Sequence, residues 1–240
     1  MASLLLIDDE PAIVRALGIG LRARGYQVHT AANGAEGLAR AALHRPEVVV
    51  LDLRLPDMDG MEVCRQIRSW SQVPILVLSA HGEEERKVAA LDAGADDFVT
   101  KPFGMAELEA RIRVALRHRQ AEEGGPALEV GPLLMDLAAH TAHLSGARLS
   151  LTATEYQMLA YLARHAGRVV TQDQLLAEVW GGRYGADAHY LRVYANRIRR
   201  KLGSGPGVLL VTHPGIGYEL RPGEPPSRPD GSGPAAPAPG

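Results

Sequence analysis

The chain has 240 residues, 46% of them hydrophobic and 22% charged, with a formal net charge of −2. That length holds one large or two modest domains, each able to bury a core, and the composition excludes a wholly disordered chain, a fibre and a short peptide scaffold. The lone Cys64 allows neither an internal disulfide nor a thiolate metal cluster. No apolar run approaches the roughly 18 residues of a membrane span. The first apolar run meets Asp8, Asp9 and Glu10 too soon for a signal peptide. A cytoplasmic protein is expected.

Short apolar runs at Leu4 to Ile7, Gln27 to Thr30, Val48 to Leu51, Ile75 to Leu78 and Phe98 to Thr100 predict five strands. Between them Ile13, Leu17 and Leu21, then Leu38 and Ala42, Val63 and Ile67, Val88 and Leu91, and Leu108, Ile112 and Leu116 recur at helical spacing. This alternation predicts an α/β doubly wound, five-stranded parallel sheet over 1–121, with its site at the carboxyl ends of the strands. Ala121 to Pro126, polar with two glycines and a proline, reads as a hinge, and the linker is placed at 122–128. Next, Leu128 to Leu134, Leu137 and Ala142 to Leu149 suggest short antiparallel strands. Thr152-Ala153-Thr154-Glu155 forms a capping box before a helix through Tyr156, Leu159 and Leu162. Helical patterns follow over Gln172 to Val179 and His189 to Leu202, and a hairpin from Val208 to Leu220 closes an α+β domain over 129–221. Residues 222–240 are rich in Pro, Gly and Ala with no aromatic residue, and are expected to be disordered.

Asp8, Asp9 and Glu10 follow the first strand and Asp52 ends the third, so a parallel sheet brings their carboxylates together. Crowded carboxylates stay ionised only if a cation joins them, and hard oxygen ligands select Mg²⁺. Ser79 after the fourth strand and Lys101 after the fifth add a hydroxyl and an ammonium at the same rim, both suited to an anion. The set describes a carboxylate that attacks a phosphoryl group while cations neutralise the transferred charge, with Asp52 the best nucleophile. Each residue alone is equally well a helix cap, a surface charge or a strand end. A stand-alone Mg²⁺ phosphohydrolase of the aspartyl-phosphate kind is the chemical rival, but such enzymes usually carry a second Asp where this chain has Arg54. No phosphate-binding GxxxxGK[ST] loop occurs, so the phosphoryl group comes from elsewhere.

Ile7 to Glu10, Leu51 to Gly60, Leu78 to Ala80 and Gly94 to Phe103 together resemble the receiver domain of two-component response regulators, over Leu4 to about Arg119. The resemblance implies that Asp52 accepts phosphate from a sensor histidine kinase. Asp8, Asp9, Asp52 and the Arg54 carbonyl would hold Mg²⁺, Lys101 would pair with the phosphate, and the bond before Pro102 would be cis. It also implies a switch in which Ser79 moves toward the phosphate and Phe98 turns inward behind it. Relatives often carry Tyr at that position, and Phe98 has no hydroxyl to bond at the surface. Lys87, Asp96, Asp97, Glu107, Arg111 and Arg113 stand where such regulators form a symmetric dimer. The implied cross-chain pairs are Lys87 with Glu107, Asp97 with Arg111 and Asp96 with Arg113.

From Ala188 to Tyr218 there is no acid, while Arg192, Arg197, Arg199, Arg200 and Lys201 fall within ten positions. Leu191, Tyr194, Ala195, Ile198 and Leu202 form an apolar face. His189, Arg192, Asn196, Arg199 and Arg200 lie opposite, suited to base edges in a major groove, with Arg197 and Lys201 reaching phosphates. A plain basic surface helix is the alternative. Leu151 to Tyr156, Thr171 to Leu175, Val179 to Gly181 and Gly215 to Tyr218 resemble the winged helix-turn-helix output domain of the OmpR/PhoB family. That implies a promoter-binding transcription factor rather than an enzyme, with RNA polymerase touched through the loop Gly181 to Ala188. The wing departs from many relatives in carrying His213-Pro214 where they have arginine. Arg68 to Pro74, Leu91 to Gly94 and Ala188 to Tyr194 resemble the potassium-operon branch of the family, implying a sensor kinase of the KdpD kind. A regulator that binds DNA whatever its phosphorylation state is a third reading.

Overall fold

The computed structural model describes residues 1–117, 127–180, 188–203 and 207–223. The expected hinge at 121–126, most of the loop before the last helix (181–187) and the tail beyond 223 lie outside the described residues.

Strands β1 (Ser3–Ile7), β2 (Gln27–Ala31), β3 (Val48–Asp52), β4 (Ile75–Ala80) and β5 (Asp97–Lys101) form one parallel sheet in the order β2-β1-β3-β4-β5. Successive side chains of a strand point to opposite faces, and the core divides accordingly. Leu4, Leu6, Val48, Val50, Leu76 and Leu78 pack with Leu17 and Leu21 of α1 (Pro11–Arg22) and Leu108 and Ile112 of α5 (Met105–Arg117). Leu5, Ile7, Val49, Leu51, Ile75 and Val77 pack on the other face. Their partners there are α2 (Gly34–His44), α3 (Gly60–Arg68) and α4 (Glu84–Ala93). The strand order reverses between β1 and β3, which opens a crevice at the ends carrying Asp8 and Asp52.

Local chemistry sets the helix ends. Pro11 opens α1 where its missing N–H costs nothing. The Asn33 and Asp59 side chains accept from Glu36 N and Met61 N to cap α2 and α3. Gly94, at φ 120°, ends α4 in a conformation costly for any other residue.

The second domain begins with an antiparallel sheet of β6 (Leu128–Val130), β7 (Leu133–Asp136), β8 (Thr141–Leu144) and β9 (Ala147–Arg148). The capping box starts α6 (Ala153–Arg164), followed by α7 (Gln172–Trp180) and α8 (Ala188–Leu202). The hairpin β11 (Val208–His213) and β12 (Gly217–Pro222) gains a third strand, β10 (Val170–Thr171), which the sequence pattern does not reveal. Two residues are too short for a period. Their pairing depends on Gly217, where a Cβ would lie 1.9 Å from the Val170 carbonyl oxygen.

A second feature that no sequence pattern reveals is that apolar packing runs unbroken from the α2-α3-α4 side of the first domain into the second. Helix α8 lies against α4, and α7 against α5.

Candidate phosphoacceptor site and nucleic-acid interface

The acids converge because β1 and β3 are neighbours in register, Ile7 beside Leu51, and both end at the same edge. Asp8 is fully buried and Asp52 is 7% exposed. Asp8 Oδ1 accepts from Glu10 N at 2.8 Å and Asp52 Oδ1 from Arg54 N at 2.9 Å, which fixes both carboxylates against the loops that follow them. Ligand oxygens of Asp8, Glu10 and Asp52 all lie within 4.8 Å of one another. Glu10 therefore joins the cluster that the sequence assigned to Asp9, which is exposed. In a three-acid run only the turn geometry decides which side chains face inward, and no sequence signal separates them.

Lys101 ends β5, just before the cis bond to Pro102, and reaches the same place. Its ammonium donates to Asp52 Oδ2 and lies 3.3 Å from Asp8 Oδ2 and 3.5 Å from Glu10 Oε1. Burial pushes the Asp8 carboxyl up, and nearby Asp52 adds to this, against the pull of the Glu10 N–H and Lys101. Burial alone would lower the Lys101 pKa, but Asp52 and Asp8 outweigh it and hold it above its ordinary value, so the ammonium stays charged. Three carboxylates against one ammonium leave negative charge on hard oxygen donors, which fits a divalent cation such as Mg²⁺.

Ser79, on β4, is 2% exposed, and its hydroxyl has no hydrogen-bond partner among the described residues. A buried donor left unpaired costs about 1–3 kcal/mol, which a phosphoryl oxygen arriving at this rim would recover. Across the rim, Glu83 accepts from Ala80 N at 3.1 Å and pairs with Arg54, while Arg86 binds Asp59 at 3.2 Å. These ties join the loops after β3 and β4. Sequence reasoning missed Glu83 because Glu83-Glu84-Glu85 looks like a solvated helix start.

The charges expected at a dimer face all have partners within the chain. Lys87 pairs with Glu84 at 2.7 Å, Arg111 with Asp97 at 2.7 Å and with Glu107 at 3.6 Å, and Arg113 with Glu109 at 2.8 Å. Asp97 and Arg111 stand on adjacent elements of one chain, so that pair closes without a second copy. Asp96 is 2% exposed, and its carboxylate binds Arg68 and accepts from Ile75 N at 2.9 Å. Its carbonyl accepts from the Thr154 hydroxyl at 3.0 Å and the Tyr194 hydroxyl at 2.5 Å, both from the second domain.

On α8 the apolar face is buried as the spacing predicts, with Leu191, Tyr194, Ala195, Ile198 and Leu202 in the core. Arg192, Asn196 and Arg200 are exposed. Arg199 reaches the Leu210 carbonyl, Thr212 Oγ1 at 2.9 Å and Asn196 Oδ1 at 2.8 Å, bracing the helix on β11 and orienting Asn196. The His189 side chain lies outside the described residues. Arg197 and Lys201 do not join the open face. Arg197 is 7% exposed, donates to the Leu91 carbonyl at 2.8 Å and pairs with buried Glu155 at 2.8 Å, and Lys201 also binds Glu155. Helical spacing assigned both to the rim of the basic face, and only the neighbouring domain turns them inward.

Comparison with known proteins agrees with this architecture. The response regulator receiver domain family matches residues 4–113, and the family described as transcriptional regulatory protein, C terminal, matches 146–220. The chain belongs to the two-component response regulators with an OmpR/PhoB-type DNA-binding domain, a class whose receiver domains bind Mg²⁺ at such an acidic pocket and whose members answer to a histidine kinase and bind promoter DNA. Within that class it is 50% identical to the transcriptional regulatory protein KdpE of Mycobacterium tuberculosis over 224 residues, covering 92% of this chain and 99% of that protein. It is 45% identical to the KDP operon transcriptional regulatory protein KdpE of Escherichia coli over 223 residues, again covering 92% and 99%. Two solved RitR mutants, 24% identical with a TM-score of 0.75 over 93% of this chain and all of theirs, share the fold. A stand-alone phosphohydrolase is not favoured. Among the described residues no helix is long and apolar enough to cross a membrane.

Proposed function

We propose that Asp52 takes a phosphoryl group from the phosphohistidine of a sensor kinase and that this charge controls binding of α8 to the promoter of a potassium-transport operon. The observation that carries the reading is the Lys101 ammonium on Asp52, among buried acids and beside a partnerless Ser79 hydroxyl. An Asp52 carboxylate oxygen attacks phosphorus in line, the P–N bond to the kinase breaks, and its electron pair leaves with the imidazole. Lys101 and Ser79 face the charge on the phosphoryl oxygens. Asp8, Glu10 and Asp52 would hold Mg²⁺, with Asp9 and the Arg54 carbonyl as further donors, and the ion would supply charge neutralisation. The chain turns over no other substrate and catalyses only its own phosphorylation and dephosphorylation.

Arg192, Asn196 and Arg200 present donors suited to guanine and adenine edges, which Arg199 steadies. Two copies joined through the α4-β5-α5 face would set their winged helices on half-sites about one DNA turn apart. A KdpD-like kinase, RNA polymerase and a cytoplasmic setting complete the reading, supported by the identity to KdpE proteins.

The test is binding to DNA from upstream of a potassium-transport operon, with and without a small phosphodonor and Mg²⁺, for wild type and Asp52→Ala. Phosphodonor should tighten wild type alone, by about tenfold or more. Equal binding by both proteins would show that Asp52 is not the control point, and binding by neither would remove the potassium-operon assignment.

A further inference from the structure

The face of α8 formed by Tyr190, Tyr194, Arg197 and Lys201 is turned away from the open basic face, and its first three residues meet the receiver. The Tyr190 ring lies 4.7 Å from the Phe98 ring, centroid to centroid, and its hydroxyl donates to Glu84 of α4. Glu84 also binds Lys87, whose ammonium stands 5.1 Å over Phe98, and the Arg111 guanidinium lies 5.9 Å from the same ring. Phe98 is thus held outward in a box of Tyr190, Lys87 and Arg111. Its own ring has no hydroxyl, and the one at this surface comes from Tyr190. Next to it, Asp96 ties down Thr154 and Tyr194, and Arg197 donates to the Leu91 and Ala95 carbonyls at the end of α4, where a helix favours a cation.

This packing conflicts with DNA binding on size alone. A helix with its side chains, about 10–12 Å across, fills a major groove about 12 Å wide, and a second helix packed at about 8–10 Å cannot enter with it. Val88 and Asp92 of α4 line one cleft with Arg192 and Asn196, and Asp92 stands 3.6 Å from Arg200, so α4 occupies the flank of the groove-reading face.

We propose that Tyr190 is a latch: stacked on outward Phe98 and bonded to Glu84, it holds α8 on the receiver, and inward rotation of Phe98 on phosphorylation removes its partner and frees α8. The proposal rests on the phosphorylation reading given above and adds the contact through which that signal reaches the DNA-binding helix. The link is short. Ser79 is opposite Thr100 in the β4–β5 register, two residues from Phe98, and its partnerless hydroxyl is the group an arriving phosphoryl oxygen would draw in. The latch also covers Lys87 and Arg111, so closure and receiver pairing through that face exclude each other.

The test uses the full chain with a dye pair on Leu43→Cys of α2 and Leu134→Cys of β7, both exposed, while buried Cys64 stays unlabelled. Single-molecule energy transfer then reads the distance between domains within one chain. Unphosphorylated wild type should be closed, and Tyr190→Ala and, on the receiver side, Glu84→Ala should raise the open-to-closed ratio by about tenfold without phosphodonor. Glu84 is largely exposed, so that variant folds even if Tyr190→Ala does not. Wild-type transfer efficiency in Glu84→Ala together with folded Tyr190→Ala would overturn the latch. Intact mass separates the two readings: if the variants open while wild type takes up phosphate on Asp52 and stays closed, the latch holds α8 but phosphorylation does not release it, and the coupling is refuted. If Asp52 takes up no phosphate, the functional reading fails while opening of the variants still supports the contact.

Discussion

Replacing Asp96 with asparagine distinguishes an internal clamp from a surface dimer contact. The Asp96 carboxylate is almost fully buried, and the Arg68 side chain it binds is only 11% exposed. The substituted amide would keep an acceptor for Ile75 N but would turn an NH₂ group, or a weaker neutral oxygen, toward the guanidinium. Breaking a buried pair costs about 3–5 kcal/mol, because the remaining charge loses its counterion without regaining water. Arg68 keeps its bonds to the Gly94 carbonyl at 2.8 Å and the Val73 carbonyl at 2.6 Å, so about 2–3 kcal/mol is expected here. For a cooperative unit of this size that is a fall in Tm of about 5–10 °C. Thermal unfolding followed by circular dichroism, with Arg113→Ala as control, reads it directly. Arg113 is 58% exposed in its pair with Glu109, so its loss should cost less than about 0.5 kcal/mol. An Asp96→Asn protein melting within about 2 °C of wild type, yet defective in pairing, would refute the clamp and restore Asp96 to a purely intermolecular role.

Other outcomes follow from single distances. A Cβ at Gly60 would lie 2.5 Å from the Asp52 carbonyl oxygen and 2.7 Å from Leu53 Cα, both backbone, so Gly60→Ala must displace the strand end that carries the phosphoacceptor. It should cost about 1–3 kcal/mol and slow phosphate uptake, measured by melting and by intact mass. Burial, then the neighbouring His44, Arg40 and Arg22, hold the His29 pKa below its ordinary 6.5. Below pH 6.5 the unfolded chain therefore binds a proton that the folded chain refuses, and stability falls as pH drops from there through the folded value. His29→Gln should shrink the difference in Tm between about pH 7.5 and about pH 5.5, and an unchanged difference would count against the shift. Chelation of divalent cations should stop phosphate uptake on Asp52, and uptake that persisted in chelator would remove the cation from the acidic cluster's role.

The receiver architecture could be read from residue order because each strand there is a short β-rich run and each helix a clear 3.6-residue pattern. Parallel strands end at one edge, so Asp8, Asp52, Ser79 and Lys101 could be placed together before any contact was known. The apolar stripe of α8 was equally plain, since Leu191, Ile198 and Leu202 need only their own domain's core. Periodicity says which face of an element is buried, but not against what. Glu10 in place of Asp9 depends on one turn's dihedral angles, and β10 depends on a close approach at Gly217. Tyr190, Tyr194 and Arg197 meet groups about a hundred positions away, and Asp96 meets Thr154 and Tyr194 across the domain boundary. Those contacts leave no local period, because they arise only when two independently patterned surfaces are brought face to face. A residue such as Arg197 carries the same signature whether a phosphate, water or a helix end lies in front of it. Its surroundings, and with them the difference between a DNA contact and a clasp on the receiver, are set by how the two domains pack.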